Sequence, residues 1–538
     1  MATTTLPAPS VSAAGAAVPS IKNMKYDPVP SIEAIPADPD PAAVPKPNPG
    51  GNWNAYDLNV FETFWFPERQ PGDETGDDEP GGAIAHGTCP EGGCANHQNE
   101  FGKFWRRQMR GLVRPFGGVV HRYKFESAGS GTPDGAPLNS PPGPTFNLQA
   151  TIPGAVHPEQ MVIVSGHYDQ TDSGPASAWD SAEGHATVFR IAKIMIDYWK
   201  KTGTRPDSSV KFTAWSAEEA GTFGSQAYVR DNLIPFPNTR VRGYFNLDPC
   251  GGAYPAFYRG NPADRVAMVM QLGNPANQVS PVDKKEFEDF NEQARDIVGD
   301  VFNHLDDTLS DVAIESEIFV SDEEAEELGV PSQETEIVTA VGGLAAFSSD
   351  YRNFEMIGIP IINLFPDMFG PHADRNYTDY RSDGVATIHT PNDNVKTLNA
   401  LTGLDQTGLV PSQGWYKGLE LCAHLHGWFM LQPNMGGAVP ITTKPAAYFE
   451  VRRAPFQAGK PIKFDGRGSH AFARAGGTTL IPKHRLRFRW SFGDGTRAKG
   501  LAPTHVYKKP GNYSAVLTII SPTGTDKMTL LIKVDAAT

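Results

Sequence analysis

The 538-residue chain sets 61 Asp and Glu against 47 Lys and Arg, a formal charge of −14, with 39% hydrophobic and 20% charged residues. That is long and apolar enough for two or three domains with substantial cores. No apolar run approaches the roughly 20 residues that a membrane-spanning helix needs, and no nucleic-acid-binding motif accompanies the basic residues.

Residues 1–50 are dense in Pro and Ala without a periodic apolar face, and read as an extended arm. Met1–Ser20 has neither the basic start nor the continuous apolar core of a signal peptide. A main domain is expected over 51–438, with an insertion at about 265–345, and a further domain over 440–538. The run Asp73–Glu79 reads as a solvated charge cluster rather than a calcium loop. Cys89 and Cys94 are close enough to close a small disulfide loop, whereas Cys250 and Cys422 read as separate thiols. A helix near 101–112 and strands at 119–125 and 145–150 come next.

Met161-Val162-Ile163-Val164 has strand composition and hands over through Ser165-Gly166 to His167-Tyr168-Asp169. His167 therefore sits at a strand's carboxyl end, where open α/β sheets keep their ligands. A carboxylate two residues on, Asp169, is placed to hold the imidazole's second nitrogen. Asp180 precedes Val188, Ile191, Ala192, Met195, Ile196 and Trp199, the spacing of one buried helix face. Asp180 is either a plain N-cap or a carboxylate able to lend its two oxygens to two cations.

The strand 210–215 ends in Ser216-Ala217-Glu218-Glu219. Adjacent carboxylates at a strand exit repel each other; beside a cation, one can bind it while its neighbour moves protons. The strand 244–247 ends in Asp248, and the strand 359–365 is followed by His389-Thr390-Pro391-Asn392-Asp393. Parallel strands would gather these groups at one sheet edge. Two cations a few ångströms apart acidify a shared water and polarise a carbonyl; nitrogen and oxygen ligands without thiolate suit zinc, with manganese or cobalt as alternatives. The segment 249–348 carries a helix pattern from Phe287 to Leu305 and a capping box at Ser321 and Glu324, and could wall the cleft.

These motifs together, His167-x-Asp169, Asp180 ahead of a helix, Ser-Ala-Glu-Glu-Ala-Gly, Asn-Leu-Asp and His-Thr-Pro-x-Asp, resemble the secreted dizinc aminopeptidase family, with its glutamate carboxypeptidase and glutaminyl cyclase relatives. Ser349-Asp350 and Phe354 before Gly358-Ile359-Pro360 extend the resemblance, which covers roughly residues 100–435. It implies a mixed, largely parallel α/β sheet flanked by helices. It also implies two Zn2+ ions bridged by Asp180, with His167 and Asp248 completing one site and Glu219 and His389 the other. Glu218 would be the general base and Asp169 the orienter of His167. Ile388 and Tyr351 depart from the family pattern, which leaves the oxyanion-stabilising group to Tyr377 or Tyr380. His372 competes with His389 but lacks the Thr-Pro-x-Asp context. His185 is expected on a helix surface; His424 and His426, two apart on a helix, read as structural.

After residue 440, Phe464-Asp465, Trp490-Ser491-Phe492-Gly493-Asp494-Gly495, His505-Val506-Tyr507 and Gly511-Asn512-Tyr513 resemble a polycystic kidney disease (PKD) repeat, which implies an immunoglobulin-like β-sandwich and favours an extracellular enzyme. Trp490 fits its core anchor and Gly493-Asp494-Gly495 a tight turn. Residues 441–538 hold 17 Lys and Arg against 5 Asp and Glu. This basic domain is expected to dock on the acidic remainder or to bind anionic polymers. The functional expectation is an aminopeptidase acting on peptides; carboxypeptidase or glutaminyl cyclase activity, and a noncatalytic adhesion protein, are the alternatives.

Overall fold

The computed structural model describes residues 93–127, 143–169, 181, 183–218, 221–248, 268–273, 349–366, 435–452 and 456–537, with single positions within 290–294 and 422–432. The amino-terminal arm, the acidic run 73–79, Cys89, Cys250 and the second insertion helix lie outside them.

The main sheet is built from β1 (Val119–Ser127), β2 (Gly143–Ile152), β3 (His157–His167), β5 (Ser208–Trp215), β6 (Arg240–Asn246), β7 (Met268–Leu272) and β8 (Ile361–Pro366). Their order is β1-β2-β5-β3-β6-β8-β7. The inner pairs β3–β5, β3–β6 and β6–β8 are parallel. The outer pairs β1–β2, β2–β5 and β7–β8 are antiparallel. The expected mixed α/β sheet is thus present, parallel at its centre and antiparallel in the other three of its six pairs, with an edge strand, β7, inside the segment read as an insertion.

Every residue of β5, and every residue of β3 from Met161 onward, is buried. That follows from cover on both faces, which makes central strands continuous apolar runs instead of alternating ones. On one face lie α1 (Gly93–Val113) and α2 (Glu183–Thr202), with Trp105 packed on Phe189 at 5.9 Å and Phe116 on Trp199 at 5.8 Å. On the other, α3 (Phe223–Tyr228) and α4 (Tyr351–Glu355) close over Ile163, Trp215, Tyr244 and Ile361. Tyr244 and Phe354 stack there at 3.8 Å. Gly184, in the first turn of α2, admits no side chain, because a Cβ would come within 2.1 Å of the Leu247 carbonyl oxygen. This close approach fixes the helix start over the strand ends.

The carboxyl-terminal unit is the expected sandwich. One sheet holds β10 (Glu450–Arg452), β11 (Pro461–Asp465) and β14 (Thr504–Val506); the other holds β12 (Arg487–Ser491), β13 (Arg497–Lys499), β15 (Gly511–Ser521) and β16 (Gly524–Val534). Trp490 is buried among Phe449, Phe464 and Leu517, and its indole N–H donates to the Gly500 carbonyl at 2.8 Å. Gly493 (φ +86°) turns the chain where a Cβ would strike the Ser514 backbone at 2.7 Å.

The two units touch along one seam. Phe236 of the main-sheet unit joins the sandwich core, and the β16 edge is capped by Asn238, which accepts from Leu531 N–H at 2.6 Å and donates to the Thr529 carbonyl at 3.1 Å. His121 meets Glu450 at 2.7 Å, and β4 (Thr204–Arg205) pairs with β9 (Val439–Pro440).

Two fully buried imidazoles set an acid limit. His426 donates through Nδ1 to the Cys422 carbonyl at 2.7 Å, and burial pushes it down to about 4; burial, then Arg205, holds His470 well below its usual range. Below about pH 6.5 the unfolded chain takes up protons that the folded one refuses, so stability falls as pH drops from 6.5 toward 4. For His426 alone the loss is about 3 kcal/mol. Urea unfolding at pH 7 and pH 4.5 should show this decline, and His426→Leu should flatten it; equal slopes in both proteins would refute the assignment.

Candidate metal centre

β5 and β6 lie on opposite sides of β3, so the strand order reverses at β3. Ligands collect at the carboxyl edge of such a point, where the connecting loops diverge and open a crevice. His167 is the last residue of β3, Glu218 follows β5 and Asp248 follows β6. The three offer ligand atoms that all lie within 4.8 Å of one another. They form a group able to hold a metal ion.

The ring of His167 is fully buried. Its Nδ1 lies 3.1 Å from the backbone carbonyl oxygen of Asp169, which only accepts, so Nδ1 carries the proton. In the neutral ring Nε2 is then a lone pair, and it faces Asp248 Oδ1 at 2.9 Å. Two acceptors at that distance need a proton or a cation between them. Glu218 beside them adds a second carboxylate, which a divalent cation answers and a single proton does not.

A directed chain of donors supports Asp248 from below. Tyr244 Oη accepts from Trp215 Nε1 at 2.9 Å and from Ser165 Oγ at 2.6 Å, and donates to Asn246 Oδ1 at 3.2 Å. Asn246 Nδ2 donates to Ser349 Oγ at 3.0 Å and to Asn363 Oδ1 at 3.1 Å; Ser349 Oγ in turn donates to Asp248 Oδ2 at 2.5 Å. Apart from the branch to Asn363, these links run toward Asp248 and fix the position of its carboxylate.

The loop after β5 departs from regular backbone. Ala217 and Thr222 both sit at φ +58°, a left-handed conformation that non-glycine residues adopt only when neighbours enforce it. Asn147 of β2 bridges the loop: its Oδ1 accepts from Ser216 N–H at 3.1 Å and its Nδ2 donates to the Gly224 carbonyl at 2.8 Å. Asn353 of α4 donates to Thr222 Oγ1 at 2.9 Å and Ser225 Oγ at 2.8 Å. Asp169 Oδ1 accepts the backbone N–H of Glu218 at 3.1 Å. Beneath the loop, Ser225 donates to Asp350, whose fully buried carboxyl is pushed up to about 8 by desolvation, the Ser225 bond opposing.

Of the residues singled out from sequence, His167, Asp169, Glu218 and Asp248 come together as described. Asp180, Glu219, His389, Tyr377 and Tyr380 lie outside the described residues, as do His372 and His424. Asp169 differs in detail from the expectation: its carbonyl is the nearer group to Nδ1, at 3.1 Å against 3.6 Å for its carboxylate, which serves Glu218 instead. His185 is not on a helix surface. It is buried, with Nδ1 at 3.0 Å from the His167 carbonyl oxygen, because the Gly184 contact draws the first turn of α2 against the end of β3. His426 is buried edge-on against Phe245, as a structural histidine should be. Asn147, Asn246 and Asn353 were missed; single amides inside or beside apolar runs carry no spacing signal.

Residues 147–307 match Peptidase family M28, and residues 442–535 match the PKD domain. The chain carries an M28 peptidase domain. Within it fall β3, β5 and β6 with His167, Glu218 and Asp248. Carboxypeptidase Q of Xenopus laevis is 32% identical over 159 residues, 29% of this chain and 32% of that protein. Leupeptin-inactivating enzyme 1 of Streptomyces exfoliatus is 32% identical over 113 residues, 21% of this chain and 24% of that protein. The chain thus spans about a third or less of the length of these relatives. The solved structure of BSAP, a zinc aminopeptidase from Bacillus subtilis, aligns with a TM-score of 0.31 and 16% identity over 55% of this chain and 52% of that one.

Asn147→Ala removes the side-chain bonds to the buried Ser216 N–H and to the Gly224 carbonyl. A loss of about 2–4 kcal/mol in unfolding free energy is expected, read by urea denaturation. A change below 0.5 kcal/mol, on the order of a surface substitution, would show that the loop does not depend on the clamp.

Proposed function

We propose that this chain is a metal-dependent exopeptidase, most specifically an aminopeptidase, acting on peptides. The observation that carries the reading is the facing pair of acceptors, His167 Nε2 and Asp248 Oδ1 at 2.9 Å, with Glu218 beside them at the switch point of a sheet that matches Peptidase family M28.

The donor set is imidazole and carboxylate, which fits zinc. His167, Asp180, Glu219, Asp248 and His389 would hold two zinc ions, with Asp180 shared between them. When bound, the pair supplies an acidified water and a polarised carbonyl. The chain's own groups do the rest. Asp169 fixes the tautomer of His167 through its carbonyl and anchors Glu218 through its carboxylate. Glu218 acts as general base: it takes the proton of the attacking water and gives it to the leaving amine nitrogen. Tyr380 is proposed to donate to the oxyanion that develops on the scissile carbonyl.

Attack at the carboxyl terminus is the nearest variant, favoured by the similarity to carboxypeptidase Q. A panel of aminoacyl and carboxypeptidase substrates separates the two. Chelation is expected to abolish hydrolysis and added zinc to restore it, and Glu218→Gln to lower kcat by about 100-fold or more. Activity that survives either treatment would contradict the proposal.

We further propose that the sandwich is docked on the peptidase side, and that the enzyme works outside the cell, where PKD modules accompany such domains. The Phe236 insertion and the Asn238 bonds to β16 support the docking. Among the described residues no helix is long and apolar enough to cross a membrane. Phe236→Ala is expected to cost about 3–5 kcal/mol at the seam and to split one calorimetric unfolding transition into two. A single unshifted transition would argue against docking.

A further inference from the structure

The outer face of the four-stranded sheet carries a concentration of unpaired positive charge. Trp490 faces Ala498 and Leu517 on the core side, so by alternation Arg487 and Arg489 of β12 and Arg497 and Lys499 of β13 point outward. Lys527 of β16 joins them, opposite Thr518. Register sets Lys499, Arg489, Thr518 and Lys527 in one row across all four strands. All five cations are exposed. Arg487, in line with Ile520 and Thr525, and Arg497, in line with Ser491, Val516 and Thr529, widen the row to a patch.

The unit holds five acidic residues, and each is engaged elsewhere: Glu450 with His121, Asp465 with Arg467, Asp494 with His505, Asp526 with Lys444 and Asp535 with Lys533. None pairs with the five cations of this face. Like charges crowded at strand spacings of about 5–7 Å repel one another. Such an arrangement contributes nothing to folding, and a polyanion laid across it relieves the repulsion. The seam with the peptidase unit uses Glu450, Phe236 and the β16 edge, so the face stays open.

We propose that this face binds a linear polyuronate, a polysaccharide bearing one carboxylate per sugar. Three of the five cations are arginines, whose planar forks pair bidentately with carboxylates, and the interleaved Ser and Thr hydroxyls suit a hydroxyl-rich chain. The aromatic side chains of the sheet's strands are in the core, and among the described residues no helix or ribbon projects from it. It therefore lacks both the stacking platform and the groove-reading element that nucleic acids call for. Residues 1–440 hold 30 Lys and Arg against 56 Asp and Glu, so a polyanion is repelled by the remainder of the chain and drawn to the basic unit. This inference does not depend on the chemistry at the metal centre.

The test uses the full chain and four probes at matched ionic strength: alginate, neutral dextran, duplex DNA and phosphatidylserine vesicles. Alginate is expected to bind, more weakly as salt rises, and neutral dextran not to. Arg487→Gln, Arg489→Gln and Lys499→Gln together should raise the alginate Kd about tenfold or more. Lys460→Gln, Lys463→Gln and Lys508→Gln, an equal charge change outside the face, should leave it within about twofold. Arg487→Lys with Arg489→Lys, which keeps the charge but loses the forks, should weaken alginate binding by less than the Gln triple does, and peptidase activity on a small substrate should be the same in all variants. The proposal is overturned if alginate binds no better than dextran, if both Gln triples lose equally, or if DNA or vesicles are held more tightly than alginate.

Discussion

An imidazole nitrogen and a carboxylate oxygen, both acceptors when the ring is neutral, face each other at 2.9 Å, and the rest of the site is arranged around that contact. The Asp169 carbonyl takes the proton-bearing nitrogen of His167, and the ring is sealed from water. Left to itself, the pair would be repulsive. What resolves it is positive charge, and a divalent cation is the species that also satisfies the neighbouring Glu218 carboxylate.

Other features follow from the need to keep these groups in register. The relay from Trp215 through Tyr244, Asn246 and Ser349 delivers hydrogen bonds to Asp248 in one direction, so the carboxylate is held in place and cannot rotate freely. The left-handed residues Ala217 and Thr222 store strain in the loop that presents Glu218, and Asn147 and Asn353 hold it from two sides. Gly184 lets the start of α2 press against Leu247, and thereby brings the segment that follows Asp180 to the strand ends. The arrangement of the site is thus a property of strand order, since β5, β3 and β6 are neighbours only because the chain crosses to both sides of β3.

Much of this was legible in the sequence because it rests on periodicity. The strands that end at His167, Glu218 and Asp248 are apolar runs broken by polar groups, and a parallel sheet must align such exits. The helix after Asp180 announced itself by spacing. The sandwich was visible through Trp490 and the glycine turn at Gly493. What escaped notice depends on contacts between distant segments. His185 reads as helix surface until Gly184 is seen to pack against Leu247. Asn147 lies inside β2, and only the return of the Ser216 loop gives it work. The β7 strand borders β8 from within a segment with weak strand character, its place set by tertiary pairing. The unpaired face of the sandwich was visible as net charge, but its grouping into one row required the strand register.

The central claim is that His167 Nε2 and Asp248 Oδ1 share a divalent cation. Diffraction from crystals of the full chain, recorded on both sides of the zinc absorption edge, tests it most directly. The account predicts an anomalous peak within bonding distance of both atoms. Density that shows the two joined by a hydrogen bond alone, with no anomalous signal after zinc is supplied, would contradict it.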